Sequence, residues 1–245
     1  MIPRYSRPEM ARLWSDQNRF ATWLAVEIAA TEVLAERGTV PKQALAAIRE
    51  RARFDVARID EIEKEVQHDV IAFVSNVAES VGAEGRWLHY GLTSSDVVDT
   101  ALAILMRDAC DLLRPVVVEL MDVLRVRAFR YRASPMIGRT HGVHAEPMTF
   151  GLKLALWHAE LQRQLERLDR ARATIAYGKL SGAVGTFSHL PPEVEEAVCA
   201  KLGLAVAPIS TQIVQRDRHA MYLTTLAVVA ASICLLYTSP SPRDS

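Results

Sequence analysis

The stretch from Val97 to Arg132, VVDTALAILMRDACDLLRPVVVELMDVLRVRAFRYR, decides the fold. It is rich in apolar residues, has no glycine, and carries one expected kink point, Pro115. A second stretch, from Pro147 to Ala176, repeats the pattern, with Leu152, Leu156, Leu161, Leu165 and Leu168 as its apolar stripe. A helix of about 30 residues is about 45 Å long, more than the width of a small domain. Rods of that length bury their apolar sides in an oligomer, so the two stretches predict the centre of an elongated helical bundle.

Working outward, helical periodicity continues. Phe20, Trp23, Leu24, Ile28 and Leu34 mark a helix over Asn18 to Arg37, with Gly38 as its stop. Pro41 opens a shorter helix through Ala52, and a third covers Val56 to Val81, closed by Gly82. No stretch shows strand alternation; residues 133 to 146 are expected to form a loop, and Lys179 to Phe187 has room for an irregular extended piece. The fold class is therefore all-α. The expected organisation is a helical N-terminal domain over 1–93, part of a central bundle over 94–236, and a disordered, non-native tail over 237–245. The tail, Tyr237-Thr238-Ser239-Pro240-Ser241-Pro242-Arg243-Asp244-Ser245, is Pro/Ser-rich and has no periodic face.

Lys plus Arg and Asp plus Glu number 29 each, so the formal net charge is zero. That balance gives no electrostatic reason to expect nucleic acid or an anionic membrane as a partner, and any anionic ligand needs a local cluster. Cys110, Cys199 and Cys234 are widely spaced, as reduced thiols in a cytosolic protein would be. The apolar run Leu223 to Leu236 is shorter than the roughly 20 residues that cross a bilayer, and reads as a buried core helix. The expected compartment is cytoplasmic.

Four segments concentrate polar chemistry. Gln67-His68-Asp69-Val70 lies within the third helical segment, where a polar-face pair is the plainer explanation. His89-Tyr90-Gly91-Leu92-Thr93-Ser94-Ser95-Asp96 precedes the longest helix; Thr93-x-x-Asp96 has capping-box spacing. The same helix start, with unpaired N–H groups and the positive dipole end, also suits a carboxylate or phosphate. Gly138-Arg139-Thr140-His141-Gly142-Val143-His144-Ala145-Glu146-Pro147 gathers groups that are costly to bury without a task. Its H-x-x-H spacing is a weak metal signal without further ligands. Ser210-Thr211-Gln212-Ile213-Val214-Gln215-Arg216 opens an otherwise apolar helix.

Taken with Arg4-Tyr5, Pro8-Glu9-Met10 and Lys179-Leu180-Ser181-Gly182-Ala183-Val184-Gly185, these segments resemble the fumarase/aspartase superfamily. The N-terminal Arg-Tyr and the His-Ala-Glu-Pro run at 144–147 resemble its adenylosuccinate-cleaving branch. That resemblance implies β-elimination of fumarate from adenylosuccinate and from the succinyl-carboxamide ribotide of purine synthesis. It implies a tetramer with composite active sites and no metal or organic cofactor. It implies His141 as general acid and His68 as its helper. Thr93 and Ser94 would hold a succinyl carboxylate, with Thr140 alongside. Arg4 and Tyr5 would contact the nucleotide and Gln212 would bond the substrate, while Gln67 and Asp69 flank His68 and His89 borders the pocket. Gln67 stands where the family carries a basic residue. The family's base is a serine on a Ser-Ser-x-Met-Pro-x-Lys-x-Asn loop absent from this sequence, so the chain is expected to be a C-terminally truncated form, inactive alone. The competing readings are another lyase of the superfamily, such as an argininosuccinate-cleaving or carboxymuconate-cyclising member, and a non-catalytic helical assembly subunit.

Overall fold

A computed structural model describes residues 2–238 of the chain, without the side chain of Pro3. After a 3-10 turn at Pro3–Tyr5 the chain forms α1 (Pro8–Leu13), α2 (Asp16–Glu36), α3 (Lys42–Arg51), α4 (Val56–Val66) and α5 (Asp69–Val81). A second 3-10 turn, Ala83–Trp87, leads to α6 (Ser94–Arg130). Then come β1 (Pro135–Thr140), β2 (Val143–Thr149), α7 (Phe150–Ile175), β3 (Tyr177–Gly178), α8 (Pro192–Lys201), β4 (Ala205–Val206) and α9 (Asp217–Thr238). The fold is all-α, as read from the sequence.

The chain divides into two compact units. Among the described residues the first comprises 2–109 and 175–216, the second 110–174 and 217–238. This division cuts α6 internally, whereas the sequence reading drew a boundary at residue 93. The physical reason is that Val97, Ala101, Ala103 and Ile104 of α6 belong to the same core as α2, α5 and α8. The centre of that core is aromatic: Phe20 stacks on Phe73 at 5.6 Å, and Trp23 meets Phe20 edge-on at 5.2 Å. In the second unit Leu124, Leu154 and Leu161 form a smaller cluster against which Leu236 packs. Pro115 sits inside α6 without ending it.

Four expectations need correction. The segment Val56–Val81 is two helices, because Gln67 ends α4 in the left-handed region (φ 55°) and extended His68 restarts the chain as the N-cap of α5. The segment expected as a loop at 133–146 is mostly an antiparallel hairpin, β1 with β2, which delays the start of α7 from Pro147 to Phe150. Its hydrophobic pattern gave no alternation because the strands carry exposed polar residues and a register shift between Ile137 and Arg139. The apolar run near the C-terminal end is not a buried helix within this chain: α9 is 22 residues long, and 22% of its apolar window is buried. By length and composition it would suffice to cross a membrane. Finally, Tyr237 and Thr238, expected in the disordered tail, continue α9; residues 239–245 lie outside the described part.

Candidate active site

In the first unit the polar segments converge on the start of α6. Asp96 is fully buried, and its Oδ2 accepts the Thr93 N–H at 2.9 Å, the reciprocal half of a capping box. Thr93 and Ser94 are thereby held half-buried at the positive end of a long helix. His68 comes to the same place from α5. Its Nδ1 accepts the Ile71 N–H at 3.4 Å, and its Nε2 lies 3.3 Å from Ser94 Oγ. Nδ1 also lies 3.4 Å from Asp69 Oδ1, so the tautomer of the ring sets whether Nε2 donates to Ser94 or accepts from it. The structure therefore joins His68 and Ser94, two residues 26 apart in sequence.

The neighbours of His68 are turned to local work. Gln67 is exposed and its side-chain amide donates to the Lys64 carbonyl at 2.8 Å; Asp69 caps its own helix through the Val70 N–H at 2.8 Å. His89, just before the helix start, is in the left-handed region (φ 58°). The buried Glu27 holds it twice, accepting from its N–H at 2.8 Å and meeting Nδ1 at 2.6 Å. Burial pushes the imidazole pKa down, but the Glu27 hydrogen bond and charge, with the Asp96 charge, outweigh it, and the net shift is upward. Arg4 lies over the Tyr5 ring at 4.8 Å, and both side chains are exposed. Gln212 is exposed, with its carbonyl accepting from Lys179 Nζ at 3.0 Å.

The sequence reading did not anticipate the buried charges that organise this region. Lys179 is completely buried, paired with Asp96 Oδ1 at 2.5 Å. Asp99 accepts the Val214 N–H at 2.8 Å and receives both Arg216 terminal nitrogens, at 3.0 and 2.9 Å. Thr100 closes a reciprocal pair of bonds with the backbone of Lys179, and buried Glu195 accepts the Leu180 N–H. The available signal was Asp96-x-x-Asp99-Thr100, polar positions on a helix face otherwise filled by Val97, Ala101 and Ile104.

Thr140 and His141 belong to the second unit, at the tip of the hairpin. Thr140 pairs with Val143, leaving His141 and Gly142 as a two-residue turn with φ values of 53° and 77°. Two successive positive φ angles define the turn type that matches strand twist, and a histidine is an unusual occupant of the first position. Arg139, Thr140, His141 and His144 are all exposed. Gly138 is required where the strand bulges: a Cβ there would stand 2.8 Å from the Glu146 carbonyl oxygen. Among the described residues no group of three or more His, Cys, Asp or Glu is placed to hold a metal ion.

A histidine and hydroxyls gathered at a helix start are groups of the kind that acid–base chemistry on an anionic ligand uses. Residues 4–236 match the Lyase family, and the chain belongs to it. It is 57% identical over 233 residues to the adenylosuccinate lyase of Bacillus subtilis (strain 168) and 52% identical to that of Staphylococcus saprophyticus. Each match covers 95% of this chain and 54% of the relative, so the chain spans about half the length of the curated relatives it matches. Among solved structures, a fumarate lyase from Mesorhizobium sp. BNC1 superimposes with a TM-score of 0.87 at 28% identity, covering 96% of this chain and 59% of the other. The 3-carboxy-cis,cis-muconate lactonizing enzyme of Pseudomonas putida follows with a TM-score of 0.86 at 31% identity, covering 94% and 54%.

Proposed function

We propose that this chain is part of an enzyme that eliminates fumarate from adenylosuccinate, giving AMP, and from the succinyl-carboxamide ribotide. The carrying observation is the 57% identity to a protein named adenylosuccinate lyase across nearly the whole chain. The meeting of His68 and Ser94 at the start of α6 supports it chemically. In such a β-elimination a base removes the proton beside a carboxylate, and the C–N bond then breaks. The intermediate gathers negative charge on that carboxylate, which the Thr93–Ser94 hydroxyls and the positive end of α6 would stabilise, with Thr140 alongside. His141 delivers a proton to the leaving nitrogen, a task for an imidazole with a pKa near neutrality. His68, flanked by Gln67 and Asp69, assists through the phosphate or the leaving group. Arg4 and Tyr5 contact the nucleotide, Gln212 bonds the substrate, and His89 borders the pocket. The working protein is a cytoplasmic homotetramer whose pockets take segments from several subunits, and the exposed apolar residues of α9, Leu223, Val228, Ile233 and Leu235, suit partner helices. The serine that acts as base in the resembled family has no counterpart motif in these residues.

The likeness to a muconate lactonizing enzyme favours a second reading, cyclisation of a carboxylated muconate, at much lower identity. Complementation separates the two. A full-length relative inactivated at its equivalent of His141 is co-refolded with this chain, and fumarate release from adenylosuccinate and lactonisation of 3-carboxy-cis,cis-muconate are each followed. Partial recovery is expected. A stable mixed assembly without activity overturns the assignment of His141, and activity only with the muconate substrate favours the second reading.

A further inference from the structure

We infer that Lys179 and Asp96 form a positioning pair, which fixes the start of α6 and the Gln212 segment in one geometry for ligand binding; this rests on the functional reading above for the ligand, though not for the geometry. The ammonium of Lys179 is completely buried and makes three bonds: to Asp96 Oδ1 at 2.5 Å, to the Gly182 carbonyl at 3.0 Å and to the Gln212 carbonyl at 3.0 Å. Asp96 answers with both oxygens. Oδ2 caps the Thr93 N–H, and Oδ1 also accepts the Gly182 N–H at 3.3 Å. A single ion pair thus touches three separate stretches of chain: the hydroxyl-bearing helix start, the 179–187 loop and the loop carrying Gln212.

The surroundings reinforce this. Ser181 and Ser210 share a buried hydrogen bond at 2.6 Å, and a Cβ at Gly185 would collide with the Ser210 carbonyl. The two loops therefore meet backbone to backbone with no room for adjustment. A fully buried ion pair adds little to net stability compared with an apolar pair of similar volume, because desolvation cancels much of the attraction. Packing alone thus gives little reason for a lysine here. Three directional donors on one nitrogen do give one, since a carbonyl held at a defined point orients its own side chain. Lys179 is fully buried, and it acts through Gln212, Thr93 and Ser94.

The test compares the unsubstituted chain with Lys179→Met, Asp96→Asn and the double variant, by thermal melting and by amide hydrogen exchange. Lys179→Met leaves a buried carboxylate without its counter-charge, and its melting temperature should fall by roughly 6–15 °C. The double variant neutralises both partners and keeps an acceptor for Thr93, so most of that loss should return. Exchange at Ser210 to Val214 and Ser181 to Phe187 should nonetheless stay at least about tenfold faster than in the unsubstituted chain, while α2 and α5 amides are unchanged. A double variant with recovered melting and ordinary exchange in both loops overturns the proposal, since the pair would then be only structural. Should the double variant fail to fold, Asp96→Asn alone carries the same exchange readout with the same consequences. Titration with AMP adds a separate arm. No binding to the unsubstituted chain leaves exchange to decide the pair, since the pockets proposed above are completed by several subunits; binding that the double variant retains in full overturns the pair's role in positioning.

Discussion

The start of α6 and the tip of the β1–β2 hairpin carry similar side chains and treat them in opposite ways. At the helix start Asp96, Asp99, Thr100, Lys179 and Glu27 are buried, and each has a hydrogen-bonded partner within the same unit. At the hairpin tip Arg139, Thr140, His141 and His144 stand in solvent. Burying a polar group without a partner costs several kcal/mol, so a buried polar cluster must be completed by the chain that folds around it. An exposed cluster is under no such demand. The first region is complete within its own unit, while the second presents groups whose chemistry depends on what is brought to them. That contrast suits a protein whose pockets are completed by assembly, as proposed above.

The sharpest way to break the comparison is to remove the exposed imidazole. In a protein that spans the full length of the curated relatives and carries this segment, His141→Gln should lower turnover by roughly two to four orders of magnitude, the scale of a positioned general acid. Melting should barely move, because the side chain is exposed. Near-normal turnover would reduce the hairpin tip to a turn with an unusual residue and leave the chemistry to the helix start.

A second change asks whether the hairpin is held by its neighbours in the second unit. Gly151 follows β2, in the first turn of α7, and a Cβ on it would stand 2.5 Å from the Ala128 carbonyl oxygen and 2.7 Å from the Arg132 backbone nitrogen. Gly151→Ala gains up to about 1 kcal/mol in helix propensity, but the obstacle is backbone, which cannot swing aside. Overpacking of this kind costs about 1–3 kcal/mol, so net destabilisation of about 1–2 kcal/mol is expected in chemical denaturation. A neutral or stabilising result would mean that α6 and α7 can slide apart without loss, and that the tip is less firmly placed than its register suggests.

The difference between the regions also explains what the sequence allowed to be read. The long helices were legible from apolar spacing alone, which is strongest where a helix buries one face: Val97, Ala101 and Ile104 announce α6. The capping of α6 was legible from Thr93-x-x-Asp96. The break between α4 and α5 was not, because it depends on Gln67 adopting a left-handed conformation for which its identity gives no signal. The hairpin was missed for a related reason: short strands with exposed polar side chains carry no period-two apolar signal, and a His-Gly turn is not among the usual hairpin pairs. The segments that hold the candidate histidines stood out by their density of polar residues, and the roles expected of those histidines came from the family resemblance. Lys179, Glu27 and Asp99 were harder, since an isolated charge in an apolar stretch looks like a surface position until its partner, 83 residues away for Lys179, is known.

The last expected effect concerns Glu27 and His89, and it tests whether the buried cluster at the helix start is tuned as well as satisfied. Glu27 is 1% exposed and spends both oxygens on His89. The folded protein raises the pKa of His89 above its usual 6.5, so protonated His89 is favoured by folding. The sign follows directly. The stability this pair contributes is fully present below about pH 6.5 and is lost as pH rises through the higher folded value. Denaturation measured in steps from pH 5.5 to 8.5 should therefore show a decline over the upper part of that range. Glu27→Gln keeps an acceptor for the His89 N–H while removing the charge, and should cost about 1–2 kcal/mol at low pH. The same change should flatten the pH dependence, since burial would then pull His89 downward against the charge of Asp96 alone. His89→Gln removes the titrating group itself and should flatten the profile as well, which separates this pair from the other carboxylates of the chain. A profile that keeps its slope in both variants would assign the pH dependence elsewhere. Glu27 would then be a hydrogen-bond acceptor for a left-handed residue and nothing more.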